Sequence, residues 1–84
     1  MTENAQKRLL ALANRLAGEA FVERQQVGER LEQLVLGADR LEQPEEAIEG
    51  AMDDYIITAQ TVKDEVARLR RQGELGTEGP ESDA

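Results

Sequence analysis

The chain has 84 residues, 39% hydrophobic and only 2% aromatic, so one small domain with a thin aliphatic core is expected. Lys and Arg number 10 against 18 Asp and Glu, and a net charge of -8 disfavours nucleic-acid phosphates and anionic membranes as partners, since both select a basic face. Cys and His are both absent, which excludes disulfides, thiolate metal sites and the commonest general base.

The first predicted element is a helix over about 3–36. Thr2 can cap it, Glu3 lies in its first turn, and Glu3 with Lys7 forms an i,i+4 pair. Gly37 is a natural residue to follow its C-terminus. Gly18 and Gly28 each weaken this helix, and a break at either would give three helices in all.

A connection over 37–43 follows, short enough to force the chain back antiparallel. Asp39 with Glu42 is a competing start signal there, so the boundary is soft. The second helix is expected over about 44–72. Pro44 suits a first helical position, Glu45 and Glu46 favour the positive end of the dipole, and Arg68, Arg70 and Arg71 favour the negative end before Gly73. From Gly73 to Ala84 the chain carries glycines, a proline and four acidic residues with no basic one, which predicts a disordered acidic tail.

The stretch DDYIITAQTV, residues 53–62, is rich in β-branched residues and holds the chain's single tyrosine. It lacks the strict alternation of a strand. Ile48, Met52, Tyr55, Ala59, Val62, Val66 and Leu69 instead recur at spacings of 4 and 3, a heptad seam that predicts continuous helix through the stretch. The first helix has a matching seam of Leu9, Ala13, Leu16, Ala20, Arg24, Val27, Leu31 and Leu34, with one stutter around Arg24. Folding the chain at residue 39 or 40 pairs positions whose numbers sum to 78 or 79. Leu31 then meets Ile48, Val27 meets Met52, Leu16 meets Val62, Leu9 meets Leu69, and Tyr55 lies beside Arg24. The expected fold is all-α: an antiparallel two-helix hairpin, coiled-coil-like.

A hairpin with one thin seam rarely stands alone in water. Leu10, Ala17, Phe21, Ile56 and Ile57 lie off the seam, and the last three fall at similar heights on the hairpin. An apolar patch of that kind marks an interface, so the chain is expected to dimerise into a four-helix bundle or to dock on another helical protein.

Candidate chemistry is sparse. Ser82 is the one serine and lies in the tail, with no His or Cys to activate it, and Tyr55 reads as a packed seam residue. Glu42, Glu45, Glu46, Glu49, Asp53 and Asp54 cluster with no basic residue between Glu42 and Thr61. The cluster admits three readings: a solvated helix N-terminus, a docking face for a basic partner, or an oxygen-only divalent-cation site. Arg24 either fixes register as a buried polar group or snorkels past the seam edge. The glycines of the tail have no strand before them and no helix after, so they form no phosphate loop.

Residues 29–55, ERLEQLVLGADRLEQPEEAIEGAMDDY, resemble the small subunit of exonuclease VII. Leu31, Glu32 and Val35 match that family's L-E-x-[IV]-V segment, and Glu45, Glu46, Ala47 and Ile48 match its L-E-E-A-[LI] opening of a second helix. The resemblance implies a helical hairpin and a non-catalytic subunit coating a nuclease.

The expected function is therefore non-enzymatic, with no cofactor and no metal: a helical interaction module, such as an adaptor, chaperone or small assembly subunit, bound to a protein partner. An acidic inhibitor that mimics nucleic acid is the alternative from the charge balance. No apolar run reaches the length of a membrane span or a secretory leader, so the expected location is cytoplasmic.

Overall fold

In the computed structural model, which describes residues 1–75, Thr2 is extended and its Oγ1 accepts from the Ala5 amide at 3.1 Å. Helix α1 (Glu3–Ala17) therefore opens on a capped end, as its sequence dictates. It stops at Gly18, whose amide closes the last turn on the Asn14 and Arg15 carbonyls. The chain reverses through Glu19, Ala20 and Phe21 and enters α2 (Val22–Leu36).

The expected single helix over 3–36 is thus corrected to two antiparallel helices. The physical reason lies at Gly28. A Cβ there would sit 2.5 Å from both the Ala13 carbonyl oxygen and the Ala17 amide nitrogen, so α2 rests on α1 backbone against backbone. Ala13 and Ala17 keep the facing side small enough for this approach. Folding back also buries Ala5 and Leu12, which one straight seam would leave at its margin. The apparent stutter at Arg24 is the trace of the reversal.

A 3-10 turn (Ala38–Arg40) leads to α3 (Pro44–Met52), which has Pro at its start and two acidic residues in its first turn. Asp53 closes α3, and the chain leaves helical geometry until α4 (Ala59–Arg71). The expected continuous helix over 44–72 is corrected here, and with it the reading of DDYIIT. Two aspartates disfavour the negative end of a helix, and three β-branched residues follow them. The Asp53, Asp54 and Tyr55 amides instead donate to carbonyls three residues back, and Lys63 reaches Asp53 at 2.5 Å.

Helix α4 ends in a Schellman motif. Gly73 stands at φ +73, its amide donates to the Arg70 carbonyl, and the Glu74 amide donates to the Leu69 carbonyl. The next two residues correct the expectation that the tail begins at Gly73. The Thr2 amide donates to the Glu74 carbonyl at 2.6 Å, the Thr2 hydroxyl bonds the Glu74 carboxylate, and Leu75 is 1% exposed in the core. The remainder of the expected tail, 76–84, lies outside the described residues.

Helix α1 packs against α2 and α4, and α3 against the same two. Ion pairs from Arg8 to Glu65 at 2.9 Å and from Arg70 to Glu49 at 3.1 Å run across antiparallel neighbours. The result, among the described residues, is an up-down-up-down arrangement of four α-helices. A second copy is not needed to supply the third and fourth, contrary to the expected hairpin. Leu9, Leu16, Val27, Leu31, Ile48, Met52, Val62, Val66 and Leu69 are all buried in the shared core. Residue numbers across the α1–α4 contacts, Thr2 with Glu74 and Arg8 with Glu65, sum to 76 and 73, slightly below the expected 78 or 79.

Candidate functional site

Two connections, 18–21 and 53–58, meet at one end of the bundle, because α1 and α3 run towards that end and α2 and α4 leave it. Large apolar side chains stand at both, Phe21 in the first with Val22 opening α2 after it, and Ile56 and Ile57 in the second. Phe21 is 69% exposed, Val22 64%, Ile56 86% and Ile57 75%. A groove of about 280 Å³ runs between the connections, lined by Phe21, Val22, Glu23, Arg24, Ile57 and Thr58. Thr58 is buried at its floor.

Ile56 and Ile57 are adjacent in a non-helical connection and both project outward, while Phe21 and Val22 stand at the very start of α2, where the other helices do not cover them. Phe21, Ile56 and Ile57 thus form the exposed surface expected of them. Leu10 and Ala17 do not join it: both are half-buried, Leu10 against the core and Ala17 over Gly28. Val22, an off-seam apolar residue outside the expected interface set, belongs to the patch as well. Leu36, 60% exposed, lies at the opposite end of α2.

Arg24 does not meet Tyr55 as expected. Its guanidinium pairs with Glu19 at 2.6 Å and stands 5.8 Å from the Phe21 ring centroid, within range of a cation–π contact. Tyr55 has left the helix, lies half-buried against the core, and lines a shallow groove with Gln26, Glu29, Arg30 and Gln33 of α2. The break at 53–58 moves it off the seam.

The acidic cluster is divided by its surroundings. Glu45 is buried within 4.0 Å of Arg70, and Glu49 pairs with the same guanidinium at 3.1 Å. Lys63 engages Asp53, while Glu46 and Asp54 are exposed. Helix α4 therefore brings to this face the cations that the local sequence lacks, and the cluster becomes one side of an α3–α4 ion-pair ladder. Among the described residues no three Asp or Glu side chains converge to hold a metal ion. None of the described helices is long and apolar enough to cross a membrane.

A second groove, of about 420 Å³, lies between α1 and α4 and is lined by Arg8, Ala11, Leu12, Arg15, Thr61 and Glu65. Its charges are largely committed: Glu65 accepts from Arg8 and, at 2.7 Å, from Arg68.

Comparison with known families, characterised proteins and solved structures finds no match to this chain. The local likeness of 29–55 to the exonuclease VII small subunit has no family-level counterpart, and the stretch itself folds as part of α2, a 3-10 turn and α3, with α2 and α3 in contact.

Proposed function

We propose that this chain is a non-enzymatic interaction module, an adaptor, chaperone or small assembly subunit, that docks a protein partner through the apolar end of its bundle. One observation carries this reading: Phe21, Val22, Ile56 and Ile57 are all exposed and stand at one end of the bundle, in or beside its two connections. Leaving four such side chains in water forgoes about 1.5–3 kcal/mol each relative to burial, and clusters of this kind mark contact surfaces. The core does not need them, since it closes on Leu9, Val27, Ile48, Val62 and their neighbours.

The composition supports a role without catalysis, because it lacks His and Cys. The acidic face supports nucleic-acid mimicry less well, because Arg70 and Lys63 neutralise part of it.

The test compares the wild-type chain with Ile57→Glu as baits in extract from the native host. Circular dichroism and melting temperature should match, because Ile57 packs against little. Proteins retained by the wild type should be lost from the variant. An identical set of captured proteins on both baits would remove the apolar end as the docking site.

A further inference from the structure

The apolar end also carries a charge pattern, and the pattern restricts what can cover it. The two connections and the helix turns beside them hold four carboxylates, Glu19, Glu23, Asp53 and Asp54, and three cations, Arg15, Arg24 and Lys63. Arg24 pairs with Glu19 at 2.6 Å and Lys63 with Asp53 at 2.5 Å, while Arg15 lines the other groove, between α1 and α4. Arg24 is further held over the Phe21 ring. Glu23, which lines the groove, and Asp54, beside Ile56, are exposed and form no ion pair among the described residues. The surface shown to a partner is therefore apolar at its centre and negative at its rim.

We infer that this end takes a cationic amphipathic helix of a partner protein, with aliphatic anchors in the groove between Phe21 and Ile57 and Lys or Arg side chains against Glu23 and Asp54. This rests on the docking role proposed above and adds the chemistry of the occupant. Helix-in-groove recognition needs only a few anchors at i, i+3, i+4 and i+7, and the three apolar side chains lining this groove, Phe21, Val22 and Ile57, match that scale. A stable globular dimer buries about 800 Å² on each partner, more than four side chains at one end of a bundle offer. A second copy fits less well on charge too. It carries the same net charge of -8, and like-charged surfaces oppose association.

The test uses the full chain and three synthetic peptides of about 18 residues, long enough for five turns. The first places Leu at i, i+3, i+4 and i+7 with Lys elsewhere, the second scrambles the same residues, and the third keeps the Leu pattern with Glu replacing Lys. Fluorescence anisotropy of the labelled peptide reads binding. The patterned Leu/Lys peptide should bind at least about tenfold more tightly than either control. Ile57→Ser should reduce that affinity at least about tenfold, and the double variant Glu23→Gln with Asp54→Asn should reduce it severalfold with an unchanged melting temperature.

Equal binding of the scrambled peptide would overturn the inference, since attraction would then be bulk charge alone. So would indifference to the double variant, or the absence of binding by the patterned Leu/Lys peptide. Tighter binding of the Leu/Glu peptide, or Ile57-dependent self-association in light scattering, would overturn the cationic occupant while leaving the docking end intact. Loss of the docking end itself is read separately, by the capture experiment with Ile57→Glu.

Discussion

Gly28 and Gly50 look alike as letters: each interrupts a helical pattern where alanine would ordinarily be better. Helix propensity alone favours Gly→Ala at an interior position by about 1 kcal/mol. At Gly50 nothing lies within 4 Å of the missing Cβ, so Gly50→Ala should raise stability by about 0.5–1 kcal/mol. At Gly28 the Cβ would meet backbone atoms of Ala13 and Ala17 at 2.5 Å, and backbone cannot rotate away. Gly28→Ala should lower stability by about 1–3 kcal/mol, the usual range for overpacking. Urea denaturation of both variants reads the two signs, and a stabilised Gly28→Ala would mean that α1 and α2 do not touch there. Val62 makes a harsher case. It is fully buried in α4, so Val62→Asp sets an unpaired charge in the core and should abolish the helical circular dichroism at room temperature. A cooperative melt close to the wild type would show that α4 turns another face inward.

At the scale of elements, the chain uses interruptions to build its connections. Gly18 ends α1 and two aspartates end α3, and in both places the residues that follow are apolar yet exposed. The last element is tied down at its far end as well. Leu75 enters the core beyond the Schellman turn, and Glu74 meets the start of α1 through its backbone and its side chain. Leu75→Ala should therefore cost about 2–3 kcal/mol, as truncation of a buried leucine does, and hydrogen exchange should quicken at α1 and α4 together. An unchanged melting temperature would return residues 73–75 to the tail.

For the molecule as a whole, four helices in one chain remove the need for a partner in order to close a core. The melting temperature should then be independent of protein concentration across the micromolar range, because folding coupled to assembly would make it rise. A concentration-dependent melt would mean that the apolar end is covered by another copy before the fold is stable. The net charge of -8 acts at the same scale. It opposes close approach of copies and attracts cations, whereas burial of Phe21, Val22, Ile56 and Ile57 against the proposed partner would not be screened by salt.

Sequence by itself determined most of the buried aliphatic side chains and that every described element is helical. Leu9, Leu16, Val27, Leu31, Ile48, Met52, Val62, Val66 and Leu69 follow a 3–4 periodicity, and periodicity survives whichever helix ends up opposite. Thr2 as a cap and Gly73 as the residue after α4 were equally legible, since both rest on local backbone geometry. Tertiary structure alone decided that the first seam folds on itself at Gly18, that Tyr55 leaves the helix, and that Leu75 returns to the core. Each of these depends on a close approach between segments distant along the chain, above all the contact of Gly28 with Ala13 and Ala17. A glycine that weakens a lone helix and a glycine that lets two helices touch are the same letter until the second helix is in place.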